Sequence, residues 1–270
     1  DGRCFIVREE TSTGYMHLYL YGIGQGVLHP ITQGEWEVTD FVGLRGDKVY
    51  YISTESSPLK RDLYRVGLDG KHKERLTPGD GYYSIYPSAD LSYYICEGGD
   101  SSAPGRTDVF NAAGKRVRTL YDNAPLKEAL VEAGLPVREF FTFTTERGDE
   151  LNGYMLKPLD FDPAKRYPVL LTQYSGPGSQ QVAEGWGPDW EDALVTHGYI
   201  VVCVDPRGTG YRGEEFKKLT YGNLGRLEVE DQISTARYMA RQSYVDPARI
   251  GIYGWSYGGF MALGCAFRGE

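Results

Sequence analysis

Apolar and polar positions keep two different rhythms along this chain, and the change falls near residue 123. Before it, short apolar runs rich in Tyr, Val, Ile and Leu are separated by Gly-containing turns, the pattern of many brief β-strands. Leu18-Tyr19, Leu63-Tyr64 and Val109-Phe110 lie 45 and 46 residues apart. Each pair is followed by a Gly turn (Gly22 to Gly26, Asp69-Gly70, Gly114) and then by a closing strand ending at Ile31-Thr32, Leu76-Thr77 or Leu120-Tyr121. Lys48-Val49-Tyr50-Tyr51-Ile52-Ser53 is echoed 43 residues on by Leu91-Ser92-Tyr93-Tyr94-Ile95-Cys96. A period near 45 with four short strands per unit predicts β-propeller blades, which bury their apolar faces only by stacking on neighbours. Two complete units and part of a third are visible, fewer than a closed ring needs. Residues 1–122 are therefore expected to be the tail of a larger propeller, with Tyr50-Tyr51, Tyr82-Tyr83 and Tyr93-Tyr94 packing between blades.

After residue 122 the period lengthens. Asn123-Ala124-Pro125 opens a helical pattern over Leu126 to Ala133, which Gly134 stops and Pro136 prevents from continuing. Residues 123–138 thus read as a linker with a short helix. A hairpin follows, with Phe140 to Thr145 and Leu151 to Leu156 joined by Arg147-Gly148-Asp149. Strands and helices then alternate: Pro168 to Tyr174, the helix Trp190 to His197, the strand Tyr199 to Asp205, the helix Leu227 to Gln242 and the strand Arg249 to Tyr253. That alternation over 139–270 predicts a mostly parallel sheet covered by helices on both faces.

Composition narrows the function classes. The 270 residues carry a net charge of -8, which leaves no basic stripe to neutralise phosphates and argues against nucleic acid. No apolar run is long enough to span a membrane as a helix. The chain does not begin with Met and shows no signal-like segment, so its compartment is not legible from its start. Cys4, Cys96, Cys203 and Cys265 lack metal-ligand spacing, and Cys203 and Cys265 read as small hydrophobes within a strand and a helix. No metal or other cofactor is expected.

Chemistry gathers where strands of an α/β sheet end. Gly254-Trp255-Ser256-Tyr257-Gly258-Gly259 fits G-x-S-x-G, with a predicted strand before it and a helix after it. That is the context of a nucleophile elbow, in which a serine is exposed on a strained strand-to-helix turn. The competing reading is a Gly-rich turn whose serine only caps the helix. Acyl transfer also needs donors aimed at the developing oxyanion. The backbone N–H of Tyr257 is one candidate. The Tyr174 hydroxyl, at the head of Gln173-Tyr174-Ser175-Gly176-Pro177-Gly178-Ser179-Gln180, is the other, although Tyr174 equally reads as a packing residue. The loop Asp205 to Gly213 is Gly-rich but lacks the spacing of a phosphate-binding loop. Arg207 is expected to bond loop carbonyls there, and Asp205 to be structural. Glu228, Glu230 and Asp231 are expected simply to complement the dipole at the start of a helix.

The general base is missing from this arrangement. The fourteen residues after Ser256 contain no His and no Asp, and their one acid is Glu270. His17, His29, His72 and His197 all precede the serine and read as strand, turn or helix-end residues. The catalytic partners are therefore expected beyond residue 270, and the 270 residues alone are expected to be inactive.

Taken together, the blades with Gly34-Glu35-Trp36-Glu37-Val38, the Tyr174 and Asp205 loops, Gly225 to Gln232 and Gly254 to Gly259 resemble the dipeptidyl peptidase IV branch of the prolyl oligopeptidase family of serine peptidases. The resemblance covers essentially the whole chain. It implies a propeller followed by an α/β-hydrolase domain and an exopeptidase releasing N-terminal dipeptides with penultimate proline or alanine. Ser256 would be the nucleophile, Tyr174 and the Tyr257 N–H the oxyanion donors, and Tyr257 and Trp255 would line the substrate site. The family's acidic pair for the substrate ammonium, its catalytic Asp and its His would lie outside these residues. The resemblance further implies a homodimer and a periplasmic, secreted or membrane-anchored location. A prolyl tripeptidyl or acylaminoacyl peptidase of the same architecture, or a silent relative that binds proteins through its propeller, would share most of these features.

Overall fold

The structure, a computed structural model, describes residues 2–10 and 13–268. It divides into two compact units. The first is Asp1–Lys127 together with Ala183–Trp186 and Tyr211–Glu214, and the second is Glu128–Val182, Gly187–Gly210 and Glu215–Glu270.

The first unit is built from three antiparallel meanders. β1 (Cys4–Glu9), β2 (His17–Gly22) and β3 (Gly26–Pro30) form one. β4 (Val38–Arg45), β5 (Lys48–Ser53), β6 (Asp62–Gly67) and the two-residue β7 (Glu74–Arg75) form the next. β8 (Tyr82–Pro87), β9 (Tyr93–Gly99), β10 (Arg106–Asn111) and β11 (Arg116–Tyr121) form the last. The repeated pairs fall on corresponding strands β2, β6 and β10.

Side-chain alternation explains why the sheets stack. From β5, Val49 and Tyr51 enter a cluster with Leu18, Ile31 and Tyr64, whereas Tyr50 enters another with Leu63, Tyr83, Tyr94 and Phe110. A strand that is apolar on both faces needs a sheet on each side. Trp36, Tyr51 and Tyr64 stack with ring centroids 6.1 and 5.7 Å apart. Of the tyrosine pairs, Tyr93 differs from the expectation and lies 52% exposed, because alternation turns it away from buried Tyr94.

The residue before each repeated pair is a buried polar group, a regularity that the apolar pattern hides. His17 lies between Thr32 Oγ1 at 3.1 Å and Gly34 O at 2.9 Å. Asp62 accepts from Thr77 Oγ1 at 2.6 Å, and Asp108 faces Arg106 and Arg116. The short excursions from later sequence are held within this unit. Glu184 N–H donates to Leu59 O at 2.9 Å, Gly213 N–H to Glu37 Oε1 at 2.9 Å, and the Arg61 guanidinium lies 4.0 Å from the Tyr211 ring centroid.

α1 (Ala124–Ala133) forms where the sequence predicts it, yet buries no residue, and Gly134 ends it in a left-handed conformation. The second unit is organised on one five-stranded sheet. In chain order it comprises β12 (Glu139–Thr144), β13 (Glu150–Leu156), β14 (Tyr167–Thr172), α2 (Trp190–Thr196), β15 (Ile200–Asp205), α3 (Gly213–Lys218), α4 (Leu227–Ala240), β16 (Val245–Tyr253) and α5 (Tyr257–Arg268). α3 was not expected, and its first two residues belong to the first unit.

The sheet order is β12-β13-β15-β14-β16. β14 pairs in parallel with β15 and β16, while β13 pairs antiparallel with β12 and β15. The sheet is thus mixed, with β12, β14, β15 and β16 running one way and β13 the other. β12 and β13 are joined by a short hairpin turn, which forces them antiparallel, and β13 then pairs antiparallel with β15, a strand about 50 residues further along the chain. All six residues of β15 are buried, as a central strand with both faces covered requires. Among the described residues no helix is long and apolar enough to cross a membrane.

Candidate active site

The parallel strands β14, β15 and β16 deliver three loops to one end of the sheet in the second unit, and the residues singled out from the sequence lie on them. Ser256 occupies the junction between β16 and α5 with φ of +55°, a left-handed conformation rare for a residue bearing a Cβ. Holding a non-glycine residue there costs about 1–3 kcal/mol and persists only where the surroundings over-determine it. Those surroundings are visible. A Cβ on Gly258 would stand 2.3 Å from Gln173 O, and one on Gly254 would stand 2.4 Å from the Gly258 carbonyl. The turn is therefore pressed against the end of β14, and Ser256 is left exposed at its tip. Gly258 N–H donates to Trp255 O at 2.9 Å and Phe260 N–H to Ser256 O at 3.2 Å, closing the first turn of α5.

Tyr174 follows β14. Its ring centroid lies 6.2 Å from that of Tyr257 and 6.5 Å from that of Trp255, so the three aromatic residues named from the sequence surround the serine's turn. Tyr174 is half-buried, and its backbone N–H donates to Gln181 Oε1. Trp255 is 71% exposed. Tyr257 packs edge-on to Phe260, and its hydroxyl donates to Glu228 Oε1 at 2.6 Å. Burial, and then the Glu228 carboxylate, push that hydroxyl's pKa up, so it stays protonated as the donor.

Glu228 and Asp231 do more than complement a helix dipole. Glu228 is fully buried and also accepts from Gly225 N–H at 3.0 Å. Asp231, equally buried, accepts from Arg207 Nε at 3.0 Å, from Arg207 Nη2 at 2.6 Å and from the Arg207 backbone N–H at 2.8 Å. Arg207 Nη1 reaches Asp149 at 3.0 Å. Arg207 therefore pairs with carboxylates rather than with the loop carbonyls expected of it. At 5% exposure a guanidinium requires a compensating charge, and carbonyl dipoles alone do not supply one. Burial raises the Asp231 pKa, while Arg207 opposes that rise. Asp205 is structural, accepting from the backbone N–H groups of Gln181 and Val182 at 3.0 and 2.8 Å. Gly178 N–H to Gly208 O at 2.8 Å and Gly210 N–H to Ser179 O at 2.9 Å then zip the Tyr174 and Asp205 loops together.

Sequence reasoning also passed over Gln173, Ser175 and Gln232. All three are buried and joined by hydrogen bonds beneath the elbow. Their only signal was an unusual run of polar residues at positions where a strand end and a helix face should be apolar. His197 caps the C-terminus of α2, with Nδ1 2.7 Å from Ala193 O. His17, His29 and His72 belong to the first unit. Among the described residues no group of His, Cys, Asp and Glu is arranged to hold a metal ion.

Two family profiles match this sequence. Residues 1–104 match the dipeptidyl peptidase IV N-terminal region, and residues 186–270 match the prolyl oligopeptidase family. A probable dipeptidyl peptidase 4 of Emericella nidulans is 38% identical over 260 residues, covering 92% of this chain and 33% of the relative. Dipeptidyl-aminopeptidase B of Aspergillus niger is 40% identical over 259 residues, covering 93% of this chain and 29% of the relative. The crystal structure of Porphyromonas gingivalis dipeptidyl peptidase 4 superposes with a TM-score of 0.93 at 42% identity, covering 98% of this chain and 38% of that one. The chain thus spans about a third of the length of the proteins it matches.

Proposed function

Because the chain belongs to the prolyl oligopeptidase family, in its dipeptidyl peptidase IV-like branch, we propose that it supplies the nucleophile and both oxyanion donors of a serine exopeptidase. In this reading residues 1–122 contribute part of a propeller, 123–138 a linker and 139–270 the first part of the hydrolase domain, through the nucleophile elbow. The observation that carries the proposal is Ser256 held at φ +55° between β16 and α5, exposed and flanked by two glycines that admit no side chain.

Ser256 Oγ attacks the scissile carbonyl while its proton passes to a general base supplied from outside residues 1–270. The bond from Oγ to the carbonyl carbon places a negative charge on the carbonyl oxygen. The Tyr174 hydroxyl and the Tyr257 N–H stabilise that charge, the usual source of the largest rate gain in acyl transfer. Collapse of this intermediate breaks the C–N bond, and the amine leaves with the proton from the base. Water, deprotonated by the same base, then releases the peptide acyl group from Ser256.

Substrates in this proposal are peptides with a free N-terminus and proline or alanine in the penultimate position. Tyr257 and Trp255 present aromatic surface beside the serine to the penultimate side chain. In the intact protein a Gly-Pro or Ala-Pro chromogenic amide should be cleaved and a free N-terminus should be required. Preference for N-acylated substrates or for release of tripeptides would overturn the dipeptidyl assignment.

A further inference from the structure

Beneath the elbow, a chain of buried hydrogen bonds runs from α4 to the first turn of α5. Gln232 Nε2 donates to Ser175 Oγ at 3.1 Å and also to Val204 O at 3.1 Å. Ser175 Oγ donates to Gln173 Oε1 at 2.8 Å, and Gln173 Nε2 donates to Gly258 O at 2.7 Å. The exposures of Gln232, Ser175 and Gln173 are only 1%, 1% and 2%.

The direction of this chain is fixed by chemistry. A carbonyl can only accept, so the Gln173 amide must turn its nitrogen to Gly258 and its oxygen to Ser175. The Ser175 hydroxyl must then donate towards Gln173, leaving its oxygen free to accept from Gln232. Donors aligned head to tail polarise one another, which stiffens the whole line. Ser175 is itself held at φ +62°, so the line crosses a second strained residue. The two ends of the Gln173–Gly258 bond each lie next to one oxyanion donor. Tyr174 sits between Gln173 and Ser175, and Tyr257 immediately precedes Gly258.

We propose that Gln173 and Ser175 are positioning residues that set the separation between the Tyr174 hydroxyl and the Tyr257 N–H. The inference rests on the roles given above to Tyr174 and Ser256. Neither side chain touches substrate. They act by fixing the loop after β14 against the elbow, where a misplacement of about 1 Å costs on the order of 10²-fold in rate.

The test is a double-mutant cycle in the intact protein, with kcat and KM measured on a Gly-Pro chromogenic amide. Gln173→Met keeps the side-chain volume but removes the donor. It should lower kcat by roughly 10–100-fold and leave KM within about twofold. Introduced beside Tyr174→Phe, the same change should cost less than about threefold, because the donor it positions is already gone. An equal loss in both backgrounds, or an unchanged kcat, would overturn the proposal. Ser175→Ala should reproduce the non-additivity and serves if Gln173→Met does not fold. If the unsubstituted protein neither cleaves the amide nor reacts with a fluorophosphonate at Ser256, the peptidase reading fails and the inference falls with it. If the unsubstituted protein is active and the cycle additive, only the inference fails.

Discussion

Gly258→Ala puts the geometry of the elbow to a quantitative test. In an ordinary helix this change stabilises by about 0.5–1 kcal/mol, since Ala loses less backbone freedom on folding. Here the new Cβ would approach Gln173 O to 2.3 Å, which falls 1.1 Å short of the 3.4 Å at which ordinary contact begins. The nearest atoms are backbone, with Tyr174 Cα at 3.2 Å, so no flexible side chain can swing aside. α5 must retreat from β14 by roughly 1 Å, and overpacking of this kind costs about 1–3 kcal/mol. The net expectation is a loss of about 1–2 kcal/mol, or roughly 2–8 °C in Tm. The same retreat draws Tyr257 away from Tyr174 and should slow acylation of Ser256 on the order of 10²-fold. Differential scanning calorimetry and the rate of fluorophosphonate labelling measure the two effects. Gly259→Ala is the control, because its Cβ meets only Gly254 O at 3.4 Å and should be tolerated. A Gly258→Ala protein as stable and as fast as the parent would refute the close-approach argument.

Other consequences follow from the same geometry. Tyr174→Phe should lower kcat on a Gly-Pro amide by roughly 10²–10³-fold with little change in Tm, and an unchanged rate would reassign the ring to packing. Arg207→Met leaves fully buried Asp231 without its guanidinium and should cost about 3–5 kcal/mol in urea unfolding, against near-neutrality if the pair were a surface contact. His17 is held neutral by burial, which lowers its pKa from the ordinary 6.5. The unfolded chain therefore takes up a proton first as pH falls. Stability of the first unit should be level above pH 6.5, decline below it and flatten once the folded state also protonates. Thermal unfolding at pH 8 and pH 5 reads this slope, and His17→Gln should remove much of it.

Local rules reached some parts of this fold and missed others for identifiable reasons. The 45-residue repeat was legible because Leu18-Tyr19, Leu63-Tyr64 and Val109-Phe110 must fill the same slot in successive sheets. Ser256 was legible because strand, elbow and helix are contiguous in the chain, so sequence spacing carries the geometry. The direction of β13 was not legible, since pairing of β13 with β15 is a contact across nearly 50 residues that no periodicity encodes. The partners of Glu228, Asp231 and Gln232 were hidden for the same reason. A helix start rich in acids looks alike whether the acids face water or bury against Tyr257 and Arg207. Short-range pattern finds the turn that carries Ser256, but the network holding that turn is made of long-range polar contacts.

The central claim is that Ser256 is the nucleophile, and covalent labelling tests it most directly. Intact protein treated with a fluorophosphonate should carry one adduct, located on Ser256 by tandem mass spectrometry, and its formation should parallel loss of Gly-Pro amide cleavage. Folded, intact protein that remains unlabelled, or whose adduct lies on another residue while cleavage continues, would contradict the account.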